Sequence, residues 1–193
     1  MLIDVSNQYF DVQARSEKSS RQFGNIVETG LDPMTSRFAP HGRFYVASDW
    51  GRDLWALTLE GRIRETASGI SVIRLWDPAD GQAARHQRLA TATTDLSADG
   101  IAVSPDGRLV ATVNMRNTAL PTNSPRFDRD ASVTLPTFDP EAGTVEKIAD
   151  YPVDGVLPDG GCIDLTGDHF LATVFAGRKG EGPHKAPGLR LSG

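Results

Sequence analysis

Asp99 and Asp159 each stand eight residues ahead of a glycine, Gly107 and Gly167, and each is followed at once by another glycine. If Gly107 and Gly167 mark the same turn in successive repeats, the two carboxylates occupy equivalent places in neighbouring units and lie side by side. Carboxylates brought close repel one another. A divalent cation between them relieves that repulsion and polarises a bound water or carbonyl oxygen. Calcium, which prefers carboxylate and carbonyl oxygens, or zinc is the ion expected there. Ordinary Asp-Gly turn chemistry accounts for the same dipeptides without any ion. A second set of charges, Arg52, Arg116, Arg178 and His184, with Lys179, falls just beyond apolar runs. These side chains are expected either to hold an acidic or sugar-like small molecule or to form a solvated rim. Asp32 and Asp95 fall on the same side of the repeat as Asp99 and Asp159. The other histidines, His41, His86 and His169, have no metal-pair spacing, and no Ser, His and Asp arrangement can be read from linear order.

The elements that must position these groups come from self-similarity. Residues 37–47, 102–112 and 163–173 each read as strand, tight glycine turn and strand, centred on Gly42, Gly107 and Gly167. A second hairpin keeps step, since Asp77-Pro78-Ala79-Asp80-Gly81 recurs as Asp139-Pro140-Glu141-Ala142-Gly143. Proline presets such a turn and glycine is free to take positive φ. Two hairpins per repeat give four strands, A to D, which is one blade of a β-propeller. Strands are expected near 43–48, 71–76, 101–104, 108–113, 132–138 and 169–174, with no helix longer than about two turns.

The fold class expected is therefore all-β, with about three propeller blades that are incomplete or completed by an oligomer. Residues 31–94 form the first repeat, 95–154 the second and 155–193 a partial third. Residues 1–30 are outer strands of a preceding blade or a linker. The repeats exceed the usual blade length, and the surplus lies between strands B and C, in 49–69 and 114–130. In the first of these, 54–59 and 62–64 flank Glu60-Gly61 as an extra hairpin. Trp50, Trp55 and Trp76 read as packing residues. Cys162, the only cysteine, excludes an internal disulfide and reads as a small buried hydrophobe. Three blades are fewer than a closed ring needs, so self-association, or a longer parent chain, is expected.

Composition removes several function classes. A net charge of −5 speaks against nucleic acid, whose affinity rests on Lys and Arg neutralising phosphates. No run approaches the roughly 18 apolar residues of a membrane helix. The first residues carry no basic or apolar leader pattern, so the expectation is either a cytoplasmic location or a true N-terminus further upstream.

The run Gly100-Ile101-Ala102-Val103-Ser104-Pro105-Asp106-Gly107-Arg108-Leu109-Val110-Ala111 resembles the A and B strand signature of lactonase-type (YVTN-like) propellers. Leu157-Pro158-Asp159-Gly160-Gly161 resembles the Pro-Asp-Gly motif of the gluconolactonase and senescence marker protein family. That resemblance implies a divalent metal in the channel, with Asp159 as a ligand and Asp99 at the place of a second. Met34, at the equivalent place in the first repeat, departs from the pattern. The implied function is a lactone hydrolase acting on a small sugar-acid-type lactone. The alternative is a non-catalytic propeller that binds a ligand or protein partner.

Overall fold

The computed structural model describes residues 25–66, 68–75, 85–177 and 188–191. Among these residues eleven strands fall into three antiparallel sheets. The first sheet holds β1 (Pro33–Phe38), β2 (Phe44–Asp49), β3 (Gly69–Arg74) and β4 (Gln87–Thr93). The second holds β5 (Ala98–Val103), β6 (Val110–Asn114), β7 (Ala131–Phe138) and β8 (Val145–Val153). The third holds β9 (Val156–Ile163), β10 (His169–Ala176) and β11 (Gly188–Arg190). In each sheet the strands pair in chain order, as a propeller blade requires.

The glycine turns recur atom for atom. Ala39, Ser104 and Asp164 donate their N–H to Phe44, Leu109 and His169, while Gly42, Gly107 and Gly167 donate back to the same three residues. All three glycines have positive φ, between 69° and 81°. Where the first position carries an oxygen, it also gathers backbone donors. Ser104 Oγ accepts from Arg108 and Leu109, and Asp164 Oδ1 accepts from Asp168 and His169. The β7–β8 turn closes through Gly143 to Asp139, whose carboxylate also caps Glu141 and Ala142. Its counterpart at 77–81 lies outside the described residues, as does Trp76.

Sheets pack face to face, which explains why β6 and β7 of the second sheet are buried almost throughout and do not alternate. Between the first and second sheets lie Phe44, Val46, Ile70, Val72, Ile101, Val110 and Phe138, with the Phe44 and Phe138 rings edge to face at 5.7 Å. Between the second and third lie Val113, Val133, Leu135, Phe170 and Ala172. Each large side chain removed from water there stabilises the fold by roughly 1.5–3 kcal/mol. Every residue of β6, covered on both faces, is buried, whereas β10 alternates exposed with covered positions. The far face of β10 presents Leu171 and Phe175, and Cys162 of β9 is exposed. Cys162 is thus not the buried hydrophobe its type implies. It occupies the place of Ala102, which is buried only because the third sheet covers it.

The 54–64 segment also departs from the expected hairpin. Arg52 pairs with Ile63, and between them Leu59–Arg62 forms a short helix, α1. Thr58 Oγ1 accepts the N–H of Gly61, an N-cap that turns Glu60-Gly61 into helix. No helix among the described residues is long and apolar enough to cross a membrane.

The inner strands β5 and β9 meet at Gly100. A Cβ there would stand 2.2 Å from the Asp159 carbonyl oxygen and 3.0 Å from two Gly160 backbone atoms. Backbone cannot yield as a side chain does. Gly100→Ala should therefore lower the melting temperature several-fold more than Gly42→Ala, which meets open space and costs about 1 kcal/mol for its positive φ. Equal shifts in thermal denaturation would show that the inner strands are not in this contact.

Candidate functional site

Each inner strand begins with the same irregularity. Asp32, Ser97 and Leu157 all take left-handed φ, at 51°, 58° and 51°. Immediately afterwards the register shifts, between Pro33 and Ser36, between Ala98 and Ile101, and opposite Ala172 and Val174 of β10. Three residues of the inner strand then oppose two of its neighbour, which is a β-bulge. Bulges bend a strand and re-aim a side chain. The bulged pairs are Met34-Thr35, Asp99-Gly100 and Asp159-Gly160. The two Asp-Gly dipeptides are accordingly within strands, not at turns.

Asp99 is fully buried, at 0% exposure, and neither carboxyl oxygen has a hydrogen-bond partner. Its backbone is fixed from the first sheet, because Thr35 Oγ1 donates to the Asp99 carbonyl at 2.5 Å. Burial, then the neighbouring charge of Asp159, push its carboxyl up to about 6, and the Arg52 guanidinium pulls the other way. Asp159 itself is exposed. The bulges thus bring Asp99 and Asp159 into electrostatic contact, one dry and one wet.

Arg52 joins them from the loop after β2. It is 5% exposed, donates from Nε to Ser97 Oγ at 3.0 Å and stacks on the Trp50 ring at 5.0 Å. Its Nη2 has no partner, nor has the Trp50 indole N–H. Burial holds the guanidinium below its usual pKa, and Asp99 opposes that shift. Ser97 is in turn held by Ser68, whose Oγ accepts the Ser97 N–H and donates to the Trp50 carbonyl. Buried polar groups are nearly always satisfied, so these four unpartnered atoms of Asp99, Arg52 and Trp50 single out this place as the candidate site.

Arg116 is placed differently. Trp50 and Gly51 donate to Asp32 and Leu31, and Met115 and Arg116 donate to Ser97 and Leu96, so Arg116 matches Gly51 and stands one position ahead of Arg52. It reaches Asp95 at 3.2 Å, Asp128 at 2.8 Å and the Asp130 carbonyl at 3.0 Å, tying down the 115–130 loop. Arg178 and His184, with Lys179, lie outside the described residues.

Sequence reasoning missed a buried polar lock one strand outward. Asp49 accepts from Ser71 and from the Gly30 N–H, and burial raises its carboxyl. The equivalent Asn114 donates to Ser132 and Thr134. Asp49 and Asn114 each close strand B opposite a hydroxyl-bearing strand, which is the signal that could have found them.

Neither a protein-family model nor a curated protein matches the chain. Solved structures do. The periplasmic gluconolactonase of Pseudomonas aeruginosa superposes with a TM-score of 0.57 at 16% identity, over 80% of this chain and 39% of that one. A proposed 6-phosphogluconolactonase of Bacteroides fragilis gives 0.52 at 16%, over 83% and 35%. A functionally unknown protein of Desulfotomaculum acetoxidans gives 0.52 at 15%, over 75% and 37%. The described residues build about three blades of a β-propeller, two of four strands and one of three. The chain spans little more than a third of the length of each of these three structures. At such identities the likeness is one of fold, a distant and partial similarity to gluconolactonase-type propellers.

The orphaned carboxyl makes a prediction about stability. Folding raises the Asp99 pKa from 3.8 to about 6, so the folded chain holds this proton more tightly than the unfolded one. Its contribution to stability is therefore present at low pH and lost as pH rises from about 4 through 6. Asp99→Asn should stabilise the chelator-treated protein at pH 7.5 by about 1–3 kcal/mol and at pH 4.5 by about a third as much. Urea unfolding at the two pH values measures this, and a variant weaker at pH 7.5 would mean that the carboxylate has a native partner.

Proposed function

We propose that these blades carry the substrate site of a lactone hydrolase, acting on a small sugar-acid-type lactone, with Asp99, Asp159 and Arg52 at its centre. The observation that carries this reading is the fully buried Asp99 carboxyl, with both oxygens unpartnered between a second carboxylate and a guanidinium. In the reaction a water oxygen bonds to the lactone carbonyl carbon and the ring C–O bond breaks. The ring oxygen leaves as a hydroxyl with one of the water protons, and the other is released from the new carboxylic acid. Arg52 Nη2 and the Trp50 indole N–H are the donors available to the substrate's carboxylate or carbonyl oxygens.

Asp99 and Asp159 would hold a divalent cation, which when bound polarises the carbonyl. Among the described residues no group of three or more His, Cys, Asp and Glu surrounds them, so the remaining ligands would be backbone carbonyls, water or substrate. An all-oxygen set of that kind suits calcium better than zinc, which favours nitrogen and sulfur in a tetrahedral site.

Calorimetric titration tests the reading. Calcium should bind the wild type more tightly than zinc does, with affinity at least tenfold lower in Asp99→Asn and Asp159→Ala. Binding should weaken as pH falls through about 6, where Asp99 takes up its proton. Equal affinity in all three proteins would remove the cation from this site, and a well-folded chain that binds sugar acids without hydrolysing their lactones would be a binding module.

A further inference from the structure

Two sheet faces have no described sheet against them, and each repeats one half of a contact that the molecule already makes. Within the chain, Ala102, Ala111 and Val113 on one face of the second sheet are covered by Phe170 and Ala172 of the third. Counted from the turn glycines Gly107 and Gly167, the third sheet repeats the first of these sets as Cys162, Leu171 and Thr173. Counted from Gly42, the first sheet repeats the second set as Tyr45 and Ala47. Cys162 is exposed, with Leu171 48% and Phe175 82% exposed on neighbouring β10. Tyr45 and Ala47 line a cavity of about 240 Å³ with Val27, Met34 and Ile73. One face protrudes and the other is recessed.

The recess is bounded as a blade would require. Residues 25–28 stand as far ahead of Gly42 as the last four residues of β4 stand ahead of Gly107, so they hold the place of a strand D for a blade packed on the first sheet. They are tied there, since Asn25 Nδ2 donates to the His86 carbonyl, Asn25 Oδ1 accepts the His86 N–H, and the Gly30 N–H donates to Asp49 Oδ1. The cavity lies between this run and β1 and β2, where the inner strands of that blade would stand. The third sheet consists of strands A to C, with β11 at its outer edge and no strand D among the described residues. The strand that the third sheet lacks is the one already in place beside the first.

The bulges agree with this register. Thr35 Oγ1 meets the Asp99 carbonyl and Gly100 meets the Asp159 carbonyl, so the second residue of each bulge faces the first residue of the next. Gly160 is the third such residue, and among the described residues a Cβ there would meet only Thr173 Oγ1, at 3.1 Å. The Met34 carbonyl of another copy would repeat the pattern.

We propose that two copies of this chain close head to tail into a six-bladed ring. The third sheet of each copy seats Cys162, Leu171 and Phe175 on the Tyr45 face of the other and pairs β11 with residues 25–28, a β-strand addition. A head-to-tail contact gives a finite assembly only where the rotation closes. With three sheets in each chain, two copies supply six blades, within the four to eight of known propellers, whereas three copies would supply nine.

Sedimentation equilibrium and the reaction of the Cys162 thiol with Ellman's reagent test this on the full chain. The wild type should sediment as a dimer, its thiol reacting roughly tenfold or more slowly than in the urea-unfolded chain. Leu171→Asp/Phe175→Asp changes side chains open to solvent in a single copy, and should give a folded monomer with a fast-reacting thiol. Met34→Asp should do the same from the opposite face. A wild type that is monomeric at roughly 0.1 mM overturns the inference, as do oligomers that keep growing with concentration. A folded variant that remains a dimer also overturns it. So does a wild-type dimer with an unprotected thiol, which would be held by another surface such as the β2–β3 loop, where Trp55 is 93% exposed and thus not the packing residue its type implies. If a variant fails to fold by circular dichroism, the stoichiometry and thiol protection of the wild type decide.

Discussion

A backbone carbonyl occupies the space where a side chain on Gly100 would be, so β5 and β9 meet main chain to main chain. That contact sets the spacing of the second and third sheets at their inner edge. It also strips water from the carboxyl that precedes the glycine. Asp99 is enclosed by the third sheet on one side and fixed by Thr35 of the first on the other. Burying a carboxylate costs several kcal/mol when it lacks a full set of partners, and here part of that cost is met by taking up a proton near pH 6. Blade packing and the chemistry of the site are therefore one feature, because the close approach that assembles the sheets creates the unusual carboxyl.

The same packing rule accounts for the surface. The second sheet has a neighbour on each face; β6 is dry throughout, and β5 and β7 are buried except at Val103 and Thr137. The third has a described neighbour on one face only, and Leu171 and Phe175 stand on the other. The equivalent surface of the second sheet, with Ala102, Ala111 and Val113, is buried against Phe170 and Ala172. An apolar sheet face of this kind is the sort that another blade covers, from the same chain or another copy.

How much of this could be read from residues alone differs between features for physical reasons. Gly42, Gly107 and Gly167 were legible because a turn that needs positive φ selects glycine by type, and the Asp139 turn because proline and glycine mark it locally. The bulges were not legible. An extra residue in a strand leaves no turn chemistry, and the left-handed residues that announce it, Asp32, Ser97 and Leu157, have nothing in common as side chains. The pairing of Asp99 with Asp159 could still be predicted, since equal offsets from the turn glycines survive when every copy carries the same bulge. Arg52 and Arg116 look alike in sequence, yet one position along the repeat separates a guanidinium aimed at Asp99 from one committed to Asp95 and Asp128. Cys162 and Trp55 failed because burial is a property of what lies opposite, which residue type does not encode.

Arg52 and Asp99 feel each other's charge without forming a direct ion pair. Opposite charges this close usually collapse into a direct pair, which would satisfy both and leave nothing to bind. Here the guanidinium is held back by Ser97 at Nε and by the Trp50 ring beneath it, so Nη2 and both carboxyl oxygens remain unpartnered. Ser97 lies two residues before Asp99 on the same bulge, and Ser68 fixes both Ser97 and the Trp50 carbonyl. Any shift of the bulge therefore moves the anchor of the arginine together with the aspartate. On the function proposed above, a molecule that offered an acceptor to Arg52 and a donor or cation to Asp99 would complete both groups at once, with little reorganisation left to oppose its binding.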